Sequence, residues 1–221
     1  MKKIVTSLAV ASILSVSAVA DTDGVFVGIQ GSTGFDYAKM VDNSTTGTTV
    51  TTTYPSWQIG ILGGYKMFFI PKVGARFYGL INYKSSSTNA ETADSTAATT
   101  TTSDTTNSTL SLSANADVLF NFISKQNINF GVFGGFSLGY TSSESENEAD
   151  DGTGTITITR TEYGSGLDFG INLGLQALLA QKHGLELYSR IGLTEQKKSI
   201  SGGSYKYSTP FSAGLRYTYS F

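Results

Sequence analysis

One histidine and no cysteine in 221 residues narrow the chemistry before any element is placed. Without thiols there is no disulfide framework, no thiolate nucleophile and no cysteine metal site. The lone imidazole, His183, falls beside Lys182 in a stretch that reads as a turn, which argues against general acid–base or serine–histidine catalysis. The chain is therefore read as a non-enzyme, with no catalytic residue, cofactor site or metal site expected. An acidic run, Glu144, Glu146, Glu148, Asp150 and Asp151, offers carboxylates at alternate positions that could take a hard cation. Its spacing fits no EF-hand loop, and such runs usually stay solvated. The remaining candidates are four charges set inside otherwise apolar, alternating segments: Arg76, Asp117, Glu186 and Arg216. Charges buried there are costly unless paired. The expectation is two internal ion pairs, Arg76 with Asp117 and Glu186 with Arg216, which fill the interior of the fold.

The segments that carry these charges have a period of two. They run near 24–32, 56–66, 73–84, 109–121, 128–140, 166–178, 185–193 and 208–221, separated by turn-rich stretches. In the last, Phe211, Ala213, Leu215, Tyr217, Tyr219 and Phe221 share one face, against Ser212, Gly214, Arg216, Thr218 and Ser220. The third sets Ala75, Phe77, Ile81 and Tyr83 against Arg76, Tyr78, Asn82 and Lys84, and the fifth sets Phe130, Val132, Phe136 and Leu138 against small polar residues. Every Asp, Glu, Lys and Arg within the segments lies on the second face. A soluble sandwich would turn its charges to water, but would not also gather Trp57, Tyr83, Phe130, Tyr217 and Phe221 on the apolar side near strand ends. Lipid demands that arrangement, because a lysine or arginine on a lipid face costs ~2–4 kcal/mol at mid-membrane.

The fold expected is thus all-β: a transmembrane antiparallel up-and-down barrel of eight strands. Short links containing Ile70-Pro71-Lys72, Lys125-Gln126-Asn127 and Lys182-His183-Gly184 alternate with long connections at 33–55, 85–108, 141–165 and 194–208. Short turns belong in the periplasm and long loops outside the cell. The Thr- and Ser-rich tract at 85–108 cannot bury a core and reads as a mobile loop. An interior of eight strands is about filled by its own side chains. Inward Leu62, Tyr78, Leu80, Phe133 and Tyr188 favour a plugged lumen, whereas inward Gly60, Gly131, Gly135 and Gly174 would leave small water-filled voids.

The N-terminus supplies an address. Met1-Lys2-Lys3, an apolar stretch from Ile4 to Val16 and Ser17-Ala18-Val19-Ala20 make a secretory signal with cleavage expected after Ala20. Residues 1–20 are read as the signal peptide and 21–221 as one barrel domain. No later apolar run reaches the ~20 residues of a spanning helix, and the mild acidity carries no nucleic-acid footprint.

The stretches VGARFYGLINY (73–83), ANADVLFNFIS (114–124), NFGVFGGFSLG (129–139), INLGLQALLAQKHGLEL (171–187) and LRYTYSF (215–221) resemble, in this order, the Helicobacter and Campylobacter outer membrane protein family. The resemblance implies an outer-membrane barrel from a family that includes surface adhesins and porins. Its larger members carry an extracellular domain for which this chain has no room. It also implies that the aromatic terminus, Tyr217, Tyr219 and Phe221, is the signal read by the barrel-assembly machinery. Expected partners are outer-membrane lipids and lipopolysaccharide, the assembly machinery, and a host or cell-surface ligand of the loops. The expected role is structural or surface-interacting, possible adhesion included, with a narrow porin-like channel as the alternative.

Overall fold

Alternation sets the wall and hydrogen bonding closes it. The computed structural model describes residues 23–42, 49–70, 72–94, 99–125, 128–150, 156–200 and 203–221. The expected signal sequence with its cleavage site, Pro71, Gln126, Asn127 and Asp151 lie outside these residues. The strands are β1 (Gly24–Asp42), β2 (Thr49–Ile70), β3 (Val73–Asp94), β4 (Thr99–Lys125), β5 (Ile128–Asp150), β6 (Ile156–Leu179), β7 (His183–Gly192), β8 (Gln196–Ile200) and β9 (Gly203–Ser220). Each strand from β1 to β6 pairs antiparallel with the next, β7 and β8 both pair with β9, and β9 returns to β1 with Ile29 opposite Tyr217 and Gly31 opposite Leu215. Closure leaves no open edge within the membrane, where an unpaired backbone group costs several kcal/mol.

The ring has eight staves although nine strands are present among the described residues. β9 pairs with β7 from Ile191↔Phe211 downward and with β8 from Gln196↔Tyr207 upward. β7 and β8 are therefore one stave, interrupted at Leu193–Glu195, where the Leu193 amide donates to the Phe169 carbonyl at 2.8 Å.

The outer half departs from the loops expected of the sequence. Residues 85–94 pair in register with 99–108, and Glu144–Asp150 pairs with both 102–108 and β6. Thr-rich polar tracts bury nothing, but threonine suits a strand, and two such strands satisfy each other's backbone groups without a core. Above the membrane the wall also divides. The β2–β3 ladder stops at Trp57↔Ser85 and the β6–β7 ladder at Gly170↔Gly192. Beyond those points one sheet consists of the outer parts of β3 to β6, and the other of β8, β9, β1 and β2.

At the opposite end the β6–β7 connection turns two residues earlier than expected. Ala180 and Gln181 both adopt positive φ, 49° and 58°, and the Lys182 amide donates to the Leu179 carbonyl at 3.1 Å. Because Leu179 pairs with His183, the link is three residues, 180–182, and its two left-handed residues turn the chain with a handedness that suits the twist of the strands. It moves His183 out of the turn and makes it the first residue of β7.

Outside, Ile29, Ile61, Leu112, Phe136, Leu175, Leu187 and Leu215 stand exposed, and the apolar belt they form carries no charged side chain among the described residues. Inside, Phe26, Leu62, Tyr78 and Leu80 form one apolar cluster, and Leu119, Phe133 and Tyr188 form another with Phe68 against it.

Candidate functional site

Register builds the charged layer of the lumen. Arg76 on β3 lies opposite Asp117 on β4, and Glu186 on β7 lies opposite Arg216 on β9. The Arg76 Nε donates to Asp117 Oδ2 at 2.9 Å. The Arg216 Nη1 donates to Glu186 Oε2 at 3.1 Å. A third contact crosses the lumen: Arg76 Nη2 donates to Glu186 Oε2 at 3.1 Å, and its Nη1 donates to Glu186 Oε1. Glu186 thus holds two guanidiniums, and the arrangement is one network rather than two separate pairs. All four residues are at most 4% exposed.

Neutral groups complete the layer. Gln30 Oε1 accepts from Nε and Nη2 of Arg216 at 3.1 and 2.9 Å. Asn172 Nδ2 lies 3.1 Å from Asn115 Oδ1 and 3.4 Å from Asp117 Oδ1. Rings floor and roof the guanidiniums: Arg76 stands 4.4 Å from the Phe133 centroid, and Arg216 stands 4.7 Å from that of Tyr188. Cations over ring faces gain most where water is excluded. The inward glycines are the counterpart of this bulk, and the water-filled voids expected at them are absent. Carbon added at Gly174 would meet the Phe133 ring at 2.5 Å, and at Gly60 it would meet Asn82 Oδ1 at 2.8 Å. At Gly131 it would meet Asn121, and at Gly135 it would meet Asp117. Neighbouring side chains lie over all four.

A second charged cluster sits nearer the cell exterior. Asp36, fully buried, accepts from Lys84 Nζ at 3.0 Å, Tyr207 OH at 2.5 Å and Thr209 Oγ1 at 2.7 Å. Beside it Arg190 Nη2 donates to Asp168 Oδ2 at 2.8 Å and Nε donates to Ser137 Oγ at 3.1 Å. Sequence reasoning ended the first strand at residue 32, so Asp36 fell in a supposed loop. Its even number, in phase with Gln30, was the available signal. Between the two charged clusters lies a polar cavity of about 70 Å³ lined by Gln30, Gln58, Asn82, Lys84, Tyr188 and Arg190. Below the central layer a cavity of about 30 Å³ is bounded by Phe26, Lys66, Phe68 and Leu119.

The other candidates hold no reactive constellation. His183 Nδ1 lies 2.8 Å from Tyr217 OH, and its ring packs at 5.4 Å from that of Tyr219 on the periplasmic rim. Tyr219 in turn meets Phe221 edge-on at 5.2 Å. Glu144, Glu146 and Glu148 follow one face of β5 at alternate positions, ~7 Å apart along the strand. That is too far for one small ion to bridge, and Glu146 accepts from Arg160 Nε at 2.8 Å. Among the described residues no group of three His, Cys, Asp or Glu is placed to hold a metal ion.

Several solved barrels are similar in architecture. Neisserial surface protein A shares 16% identity over 91% of this chain and 100% of its own, with a TM-score of 0.36. Ail of Yersinia pestis, solved with the heparin analogue sucrose octasulfate, shares 11% over 87% of this chain and 98% of its own, with a TM-score of 0.31. The outer membrane enzyme PagL shares 13% over 84% of this chain and 99% of its own, at 0.37. At such identities and TM-scores these likenesses carry nothing about activity. No curated protein matches the chain significantly. The family comparison is of another kind, because the model described as Helicobacter outer membrane protein matches residues 60–221. A match that runs unbroken from the second strand to the terminal phenylalanine, over a wall built for lipid, places the chain in the bacterial outer membrane as a member of the Helicobacter outer membrane protein family.

Proposed function

We propose that the chain is a closed, surface-displaying barrel whose lumen does not conduct. The observation that carries this reading is the central layer, in which Glu186 ties Arg76 to Arg216 across the lumen between the rings of Phe133, Tyr78 and Tyr188. Every charge in it is matched, so an ion passing through would have to displace a desolvated pair. With the lumen shut and the sole histidine bonded at the periplasmic rim, this reading assigns the protein no catalytic step. The work falls to the two outer sheets, which reach beyond the membrane and present threonine- and serine-rich faces to a host or cell-surface ligand. Tyr217, Tyr219 and Phe221 act in this reading as the terminus that the assembly machinery takes up.

Planar-bilayer recording of the refolded full-length protein tests the closed lumen. The expected record is silent in symmetric 1 M salt, apart from rare transient events. Steady ohmic steps would overturn the reading in favour of a narrow channel.

A further inference from the structure

One rung on the outward face of the β8–β9–β1–β2 sheet sets like charges side by side. Lys39 on β1 lies opposite Lys206 on β9, and Lys206 lies opposite Lys197 on β8. Thr51 on β2, opposite Lys39, extends the same rung. Directly opposed residues of antiparallel strands share a face, with Cα atoms ~4.5–5.5 Å apart. The face is the outer one, because the next residue of β9, Tyr207, points inward to Asp36. Like charges so opposed destabilise a sheet, and internal relief is partial. Lys206 Nζ meets Glu195 Oε2 at 3.1 Å, whereas Lys39 and Lys197 are exposed and make no ion pair among the described residues.

The height of the rung names its counter-charge. Tyr37, outward and 43% exposed, ends the exposed apolar face of β1 that includes Ile29 and Phe35, and Lys39 is the next residue on that face, ~7 Å further along the strand. That depth is where acyl chains end and headgroups begin. We propose that Lys39, Lys206 and Lys197, with the Thr51 hydroxyl, form a binding site for the phosphate groups of an outer-leaflet glycolipid. Ammonium groups are compact phosphate binders on flexible stems, and several in a row hold more than one phosphate. The attraction is one-sided. On the other outer sheet the corresponding wall carries Glu144, Glu146 and Glu148, and Asp104 opposes Glu148 directly. A phosphorylated lipid is repelled there and seats against the lysine rung alone.

Full-length protein in neutral detergent is titrated with diphosphorylated lipid A, and isothermal titration calorimetry gives an affinity. Removing the lipid phosphates, or making the double variant K39Q/K197Q, is expected to weaken binding about thirtyfold, from two ammonium groups near a charged surface. K39R/K197R is expected to retain it, as is K72Q/K182Q at the periplasmic end. Both substituted lysines are exposed and make no ion pair among the described residues, so the variants keep their heat-dependent gel mobility. Equal affinity for the dephosphorylated lipid, or equal loss in K72Q/K182Q, overturns the proposal. Displacement of the lipid by millimolar inorganic phosphate also overturns it, since the site would then be one for a free anion.

Discussion

Glu186→Gln is expected to destabilise the folded barrel by roughly 3–5 kcal/mol, the cost of leaving buried charge without its partner. The substitution is nearly isosteric, so packing around Tyr188 and Phe133 is preserved and the loss reports charge. Glu186 accepts from both Arg76 and Arg216, and Asp117, the other acidic neighbour of the pair among the described residues, is bonded to Arg76. Without the carboxylate, Arg216 is left among neutral groups, Gln30 included, with no counter-charge bonded to it among the described residues. Asp117→Asn should cost less, because Arg76 retains Glu186. The measurement is the urea midpoint for loss of the compact, heat-modifiable form in detergent. A Glu186→Gln midpoint equal to that of the wild type would show that water reaches the arginines, and the closed lumen would fall with it.

Leu215→Arg is expected to cost ~2–4 kcal/mol in a bilayer, the value for a cation on the lipid face near mid-membrane. Leu215 is 68% exposed and lies between Gly31 and Leu187, about halfway along the apolar belt. Ser142→Arg supplies the control. It is two residues outside Tyr140 on the same face, where the same change should cost ~0–1 kcal/mol. Folding efficiency and urea stability in vesicles of defined thickness would separate the two. Equal behaviour would mean that the belt does not face lipid.

What could be read from the residues was whatever period two controls. The facing of Trp57, Leu215 and Arg76, the number of staves and the antiparallel order all follow from alternation with turns at the right intervals. The union of Arg76 with Glu186 could not be read this way, because strands β3 and β7 are not neighbours and their contact depends on the width of the lumen. The outer sheets were missed for a different reason. Hydrophobic alternation fades after residues 32 and 84, and a purely polar strand gives no such signal, although Asp36 and Lys84 stay in phase with the inward set. The lysine rung needed the register on both sides of β9, which neither Lys39 nor Lys197 reveals alone.

The seam between β1 and β9 also has a bearing on assembly. Phe26 meets Ser220, so the first stave finds its second neighbour only when almost the last residue has arrived. Until then the backbone donors and acceptors along one side of Gly24–Asp42 have no match, and that bare margin invites pairing with any extended chain nearby. Sequence separation of this order makes the final step slow. Until the ends meet, any such chain competes with β9 for the first hydrogen-bonding margin.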